Sequence, residues 1–339
     1  MLQIAIIFIL IAAISCYKVK YPFTTRRNTQ EDSVLSGGGY ALDYKSTCCI
    51  KGIAILFILV GHIAGTFQTV LFTPLPAAGV SLFLMLSGYG LSESYKSKGL
   101  KDFWSKKITR VLIPYAIVIT LLVLFKTYDI KLIDYVLEIA GIKTTYWYIG
   151  YQIKWYIVFF ITMMTVPNRN VWVFALISVL MFLTLGSLEI EQSPAFLIGV
   201  IASKYKDYLS HFSRGSVFLH LMAFAFIGIM FLAIKQLPCV REYFGTSLYS
   251  FVQMIHNIAF ALCVIAIVSL NPVIRKSSFL VFCGIISYEI YLIHFPFYTN
   301  VRGNFLMAIS LISISIAVSA LFYALNGKIS NKIGCILKF

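Results

Sequence analysis

The chain has 339 residues, of which 60% are hydrophobic and 12% are charged, and its formal net charge is +15. Soluble domains carry about 25% charged residues, so this composition excludes a soluble globular protein and indicates an integral membrane protein. Apolar segments recur along the whole chain, and no stretch is polar enough to form a separate soluble domain.

The apolar segments predict an all-α, polytopic bundle of about eleven transmembrane helices. They lie at residues 2–16, 48–66, 77–92, 109–126, 146–165, 171–186, 193–203, 215–234, 251–270, 279–297 and 304–325. The segment 193–203 is short and begins at Ser193-Pro194, so we expect it to be tilted, broken or merged with its neighbour.

The first segment is expected to remain as an uncleaved span. A signal peptide is the alternative, but the segment lacks a basic n-region and basic residues follow it, which is the wrong order. The polar, glycine-rich stretch that comes next predicts a flexible cytoplasmic linker. We therefore expect an N-terminal helix and linker over residues 1–41, and one transmembrane domain over residues 42–339.

The basic residues predict the orientation of the chain. If the first span runs from outside to inside, 21 of the 28 Lys and Arg residues lie in inner segments, six lie outside and Lys154 lies within a span. Basic loops resist translocation, so we expect a multi-pass protein of the cytoplasmic (plasma) membrane, with its N-terminus outside and its C-terminus in the cytoplasm. The net charge then reflects topology, and no nucleic-acid partner is expected. The seven cysteines show no CxxC spacing, and no metal site is expected.

The apolar stretch "KGIAILFILVGH" begins with Lys51 and ends with His62. Eleven residues of helix place both side chains on nearly the same face, about 16 Å apart along the axis. Ionisable groups within a membrane are functional candidates because their burial is costly. A histidine that bonds to a carbonyl of a neighbouring helix is the alternative for His62, and the spacing does not separate the two.

Two further segments carry candidate binding residues. Ser87 and Gly88 are small and would let a backbone or a ligand approach closely. In "KSKGLKDFWSKKITRVLIPY", basic and aromatic residues interleave as in a short interfacial helix. Lys107 and Arg110 are three residues apart, a suitable pair for phosphate, although anionic lipid and the positive-inside bias are an alternative explanation.

Four segments together resemble the membrane-bound acyltransferase family 3: "KGIAILFILVGH", "GVSLFLMLSGYGL", "KKITRVLIPY" and "SYEIYLIHFPF". The resemblance extends over about residues 42–325. It implies a ten-helix bundle that takes an acyl group, usually acetyl, from cytoplasmic acyl-CoA. The acyl group is placed on a hydroxyl of an extracytoplasmic polysaccharide or a lipid-linked glycan. Acyl-CoA is therefore the expected co-substrate, and a glycan and membrane lipids are the expected partners.

The resemblance also implies roles for individual residues. His62 is the expected general base, and a covalent acyl-His62 intermediate is an alternative mechanism. Lys51 and the basic residues between Lys96 and Arg110 would hold the anionic part of acyl-CoA. The expected donor-binding residues are Ser87, Lys106, Lys107 and Arg110. The expected acceptor-binding residues are Trp147, Gln152, Tyr156, Tyr291 and His294, although an interfacial histidine is an alternative for His294.

The chain departs from the family pattern at three of these positions. Lys51 and Lys107 replace arginines, which keeps the charge but loses the two-pronged donor geometry. Gln152 replaces a glutamate, and an amide cannot accept a proton as a base. The competing function is a glycan or lipid transporter or flippase without acyl transfer, although no inverted repeat is visible. The loops 127–145 and 235–250 are expected to influence the acceptor, and Gln253, His256 and Asn257 are predicted to be interfacial.

Overall fold

The computed structural model describes residues 2–15, 39–40, 42–69, 72–184 and 186–336. Within this part of the chain all regular secondary structure is helical, which confirms the predicted all-α class. The main helices are α1 (Leu2–Ser15), α2 (Tyr44–Thr66), α3 (Pro74–Lys98), α4 (Phe103–Leu124), α5 (Leu132–Ile139), α6 (Trp147–Thr165), α7 (Asn170–Thr184), α8 (Ala195–Lys204), α9 (Arg214–Gln236), α10 (Ser247–Leu270), α11 (Ser278–Ile285), α12 (Ser287–His294) and α13 (Phe305–Ile336). Short helical turns occur at Pro167–Arg169, Ser187–Ile190, Lys206–Ser210, Pro238–Arg241, Pro272–Arg275 and Tyr298–Val301.

Seven helical stretches in the described residues are long and apolar enough to cross a membrane. They are Tyr44–Thr66, Pro74–Lys98, Phe103–Leu124, Pro167–Thr184, Arg214–Gln236, Ser247–Leu270 and Phe305–Lys328. The chain is therefore a multi-pass membrane protein. The predicted number of about eleven spans is not confirmed.

The other four predicted spans differ from the seven for identifiable physical reasons. Helix α1 has 14 described residues and is about 21 Å long, shorter than a hydrocarbon core of about 30 Å. Helix α6 has 19 residues but includes Gln152 and Lys154, which make it less apolar. Helix α8 has only ten residues, in line with the short segment expected there. The segment 279–297 contains two eight-residue helices, α11 and α12, separated at Ile286. The predicted linker falls largely outside the described residues.

Close backbone contacts place α2 and α3 at the centre of the bundle. A methyl group on Gly88 would lie 2.2 Å from the carbonyl oxygen of Phe196 in α8. One on Gly284 of α11 would lie 1.8 Å from the carbonyl oxygen of Cys48 in α2. Glycine is needed at both positions because only a hydrogen atom fits between the two backbones. Lys51 and His62 of α2 and Ser87 of α3 line cavities inside the bundle.

Two local features shape the region beside α2 and α3. Residues Ile108–Leu112 of α4 form a π-helical turn, a rare conformation that is frequent at functional sites, and it carries Arg110. The buried carboxylate of Glu138 accepts hydrogen bonds from the Tyr115 hydroxyl at 2.5 Å and from the Thr145 backbone N–H at 2.8 Å. Glu138 therefore ties the loop that precedes α6 to α4, and so fixes where α6 begins.

Candidate active site

Four cationic side chains line one cavity of about 420 Å³, which we name the basic cavity. Lys51 comes from α2, and Lys106, Lys107 and Arg110 come from α4. Of these four cations, only Lys106 has an ion pair with a described residue, at 3.7 Å from Asp102. The other residues that line the basic cavity are Phe83, Leu86, Ser87, Gly90, Leu91, Ser94, Val111, Tyr148, Gln152, Tyr156, Ser287, Tyr288 and Tyr291. A cavity with four cations and so little compensating negative charge is suited to a polyanion such as a group of phosphates.

Hydrogen bonds fix the polar wall of the basic cavity. Gln152 Nε2 donates to Ser87 Oγ at 2.8 Å, and the Tyr148 hydroxyl donates to Gln152 Oε1 at 3.0 Å. The Lys107 ammonium lies 4.5 Å from the centre of the Tyr156 ring, a cation–π distance. The structure thus brings Ser87, Gln152 and Tyr156 to the same cavity as Lys51 and the basic residues of α4.

A second cavity of about 420 Å³ lies near the other end of α2, and we name it the histidine cavity. His62 lines it and is partly buried, together with Trp147 at the start of α6. The other lining residues are Ile58, Thr73, Pro74, Pro76, Ala77, Val80, Leu188, Glu191, Gln192, Lys235, Gln253, His256, Asn257, Tyr291, Phe295 and Tyr298. This cavity combines aromatic faces with several polar groups, as small-molecule sites commonly do.

The protonation of His62 follows from its partners. His294 Nδ1 lies 2.7 Å from the carbonyl oxygen of Ile290, and a carbonyl oxygen can only accept, so this nitrogen carries a proton. In the neutral ring, Nε2 of His294 then has a lone pair, and it lies 3.1 Å from Nδ1 of His62. His62 Nδ1 is therefore the donor, and Nε2 of His62 keeps its lone pair. That nitrogen has no hydrogen-bond partner among the described residues, and it is not one of the fully buried polar atoms. It is therefore open to the histidine cavity.

Aromatic rings hold His62 in this orientation. The rings of His62 and Tyr298 stack with centroids 4.9 Å apart, and Phe295 meets His62 edge-on at 5.8 Å. His294 stacks against His62 at 5.3 Å and has no exposed surface. His294 therefore lies behind His62 and does not line either cavity, so its direct contact is with His62.

Tyr291 lines both cavities. Its ring is packed by Tyr148 at 5.6 Å and by Tyr146 at 5.8 Å, and it is almost fully buried. The basic cavity and the histidine cavity therefore approach each other at Tyr291, one near each end of α2.

The comparison with known families matches the region that contains both cavities. The acyltransferase domain of family 3 matches residues 42–326. The chain belongs to acyltransferase family 3. It is accordingly a membrane acyltransferase, and every candidate residue named above lies within the matched range. Neither a curated protein nor a solved structure matches the chain.

The acyltransferase has a second polar cluster in the histidine cavity, which we name the Glu191 cluster: Glu191, Gln253, His256 and Asn257. The carboxylate of Glu191 accepts hydrogen bonds from Gln253 Nε2 and, at 3.4 Å, from Asn257 Nδ2. Burial raises the pKa of Glu191 to about 7, against the opposing effects of the Lys235 charge and of these two donors. The side chain of Glu191 is only 6% exposed.

No sequence pattern marked this cluster as a site. His256 and Asn257 were predicted to be interfacial, and in the structure each is 1% exposed and buried among the helices of the bundle. The spacing of Gln253, His256 and Asn257, at i, i+3 and i+4, puts three polar side chains on one face of α10, and that pattern is a usable signal. Glu191 precedes a short helix and has no sequence feature that connects it to α10.

Proposed function

We propose that this membrane acyltransferase transfers an acyl group, most simply acetyl, from acyl-CoA in the basic cavity to a glycan hydroxyl in the histidine cavity. The acceptor would be a cell-surface polysaccharide or its lipid-linked precursor. The observation that carries the proposal is the unprotonated Nε2 of His62, which is held open to one cavity by His294 while the other cavity holds four cations.

The basic cavity supports a donor with several phosphates. Lys51, Lys107 and Arg110 lack acidic partners among the described residues, so phosphates of CoA would supply the missing negative charge. Ser87, Gln152 and Tyr156 share this cavity, which favours a donor-side role for them. The pantetheine arm would extend along α2, where Lys51 and His62 are about 16 Å apart, and would bring the thioester past Tyr291 to His62.

The histidine cavity supports base catalysis at the acceptor. As the hydroxyl oxygen attacks the thioester carbonyl carbon, its proton passes to Nε2 of His62. The C–S bond then breaks, and the same proton returns to the departing thiolate, which yields the ester and free CoA. His294 accepts the hydrogen bond from Nδ1 throughout and stabilises the imidazolium ion that forms. Trp147 and Tyr291 would contact the acceptor.

The proposed orientation places the basic cavity towards the cytoplasm, where acyl-CoA is available, and the histidine cavity towards the outside. It gives an outer N-terminus and a cytoplasmic C-terminus in the plasma membrane. The transmembrane domain is taken as residues 42–339, preceded by the helix and linker of residues 1–41.

The test uses His62→Ala, with His211→Ala as the matched control because His211 is exposed, follows the short helical turn Lys206–Ser210 and lines neither cavity. Purified protein in nanodiscs would be incubated with radiolabelled acetyl-CoA, and alkali-labile acetyl on surface glycan would be measured in cells. We expect His62→Ala to lower transfer by about 10²- to 10⁴-fold, the usual contribution of a positioned base, and to retain acetyl-CoA binding. Unchanged transfer in His62→Ala contradicts the proposed base. Absence of both acetyl-CoA retention and transfer in the wild type favours a transporter instead.

A further inference from the structure

The Glu191 cluster uses its hydrogen-bond donors internally. The amide N–H groups of Gln253 and Asn257 point to the Glu191 carboxylate. His256 Nδ1 lies 3.4 Å from the carbonyl oxygen of Val252, one turn earlier in α10, so Nδ1 carries the proton in the neutral ring. Each of these three donor groups of α10 thus already makes one hydrogen bond within the protein, and each of the two amides keeps a second N–H.

Apart from the second N–H of each amide, the groups that remain available in the cluster are acceptors. Asn257 is 1% exposed and lines the histidine cavity, and its Oδ1 has no partner among the described residues. His256 Nε2 has a lone pair and no bonded partner in the same part of the chain. The Glu191 carboxylate can accept further bonds because two oxygens provide about four lone-pair sites. A buried acceptor without a donor is costly, so a ligand that supplies a donor to Oδ1 of Asn257 would relieve this cost.

His62 belongs to the same cavity and also presents a lone pair, at Nε2. Lys235 is the one cation of the cavity among the described residues, and its charge acts on Glu191. An anionic group on the ligand would compete with the Glu191 carboxylate for the positive charge of Lys235. A hydroxyl, in contrast, donates a hydrogen bond to a lone pair and adds no charge to the cavity.

Building on the proposed function, we infer that the Glu191 cluster is a second hydroxyl-binding site, and that the acceptor is an uncharged sugar residue with at least two free hydroxyls. One hydroxyl donates to Nε2 of His62 and is acylated. Another donates to the carboxylate of Glu191, and any further hydroxyl or N–H group of the sugar can donate to Oδ1 of Asn257. Trp147 and Tyr298 supply aromatic faces for the C–H surface of the sugar ring. The distance between the two sites then determines which hydroxyl is acylated.

The main variant is Glu191→Gln, which keeps the size of the side chain and removes its charge. Its matched control is Glu189→Gln, since Glu189 lies two residues earlier and pairs with Lys154 at 2.7 Å, outside the cavity lining. Gln253→Met is the second variant, because it keeps the length of the side chain and removes the amide that orients Glu191. Each would replace the wild-type gene in cells, and alkali-released acyl groups per mass of surface glycan would be measured.

We expect Glu191→Gln and Gln253→Met to lower acylation, the former by about 10- to 100-fold, the loss typical of a hydrogen bond to a charged group. Glu189→Gln should match the wild type. Both cluster variants should retain labelled acetyl-CoA after purification, because the basic cavity does not include their side chains. A variant that no longer retains acetyl-CoA is taken as misfolded. The acylation level of the other variant then tests the inference. Wild-type acylation in a correctly folded cluster variant overturns the inference and leaves the proposed function intact.

The chemical class of the acceptor is tested separately, by NMR of the ester-bearing sugar residue in the isolated glycan. The inference predicts a residue without carboxylate or phosphate that keeps a free hydroxyl beside the ester. An ester on a uronic acid or a phosphorylated sugar overturns it. Failure of the proposed function has a different signature: the wild type itself neither retains acetyl-CoA nor acylates glycan.

Discussion

At the scale of single residues, the chemistry depends on which nitrogen of His62 carries the proton. Two hydrogen bonds decide this: the Ile290 carbonyl fixes the tautomer of His294, and His294 fixes that of His62. The sequence left open whether His62 bonds to a carbonyl of a neighbouring helix. In the structure the carbonyl-bonded histidine is His294, and His62 is the one with a nitrogen open to a cavity.

This arrangement predicts different effects for two substitutions of His294. In His294→Leu, Nδ1 of His62 loses its acceptor, and acyl transfer should fall by about 10- to 100-fold because a hydrogen bond to a charged imidazolium is lost. In His294→Gln, the amide oxygen can still accept the hydrogen bond from Nδ1 of His62. Acyl transfer by this variant should therefore be closer to the wild-type rate than in His294→Leu. Steady-state kcat for transfer measures this difference, with acetyl-CoA retention and the unfolding temperature as controls. Equal rates in the two variants would show that His294 contributes only packing.

The lone pair of His62 could be anticipated from the sequence only in part. Helical spacing places Lys51 and His62 on one face, and the structure puts them at two cavities, one near each end of α2. The contact between His62 and His294 joins residues 232 positions apart, and no local pattern specifies it. The Glu191 cluster is a similar case, because Glu191 meets α10 through a contact across 62 positions. Local periodicity constrains which face a residue occupies, whereas such pairs depend on how the helices pack.

At the scale of helices, small residues determine how closely the central elements approach. Gly88 was expected to allow close approach of a backbone or a ligand, and its neighbour is the backbone of α8. Ser87, the preceding residue, lines the basic cavity instead. Successive helical residues point in directions about 100° apart, so Ser87 can face the cavity while Gly88, the next residue, packs against α8.

Two glycines of α3 provide a matched test of this packing. In Gly88→Ala, the new methyl group would lie 2.2 Å from the carbonyl oxygen of Phe196, and we expect a loss of about 1–3 kcal/mol through overpacking. In Gly90→Ala, no atom lies within 4 Å of the new methyl group, and the variant should be unchanged or more stable by about 0.5–1 kcal/mol. Unfolding temperatures of the two proteins, recorded in one detergent at one scan rate, measure the difference. Equal temperatures would mean that α3 and α8 are not held this close together.

The helix breaks were harder to predict than the helices. A single apolar run predicted one span at 279–297, but the chain forms α11 and α12 with a break at Ile286. The break lets Ser287 and Tyr291 face the basic cavity while His294 lies behind His62. Hydropathy reports only that the segment is apolar, so it cannot reveal a turn within it.

At the scale of the whole molecule, the two cavities divide the reaction between two environments. One end of the bundle holds four cations, and the other holds lone pairs and aromatic rings. Tyr291 borders both, so a donor that enters from one end and an acceptor that enters from the other would meet beside His62. The family match covers both cavities and supports acyl transfer, while the placement of donor and acceptor is the proposal that connects them.

The central claim is tested most directly by a structure determined with an acetyl-CoA analogue in which a methylene separates the carbonyl from the sulfur. The account predicts phosphates against Lys51, Lys107 and Arg110, the pantetheine arm passing Tyr291, and the carbonyl carbon about 3–4 Å from where a hydroxyl bonded to Nε2 of His62 would place its oxygen. An analogue bound outside the basic cavity, or one whose carbonyl remains on the far side of Tyr291 from His62, would contradict it.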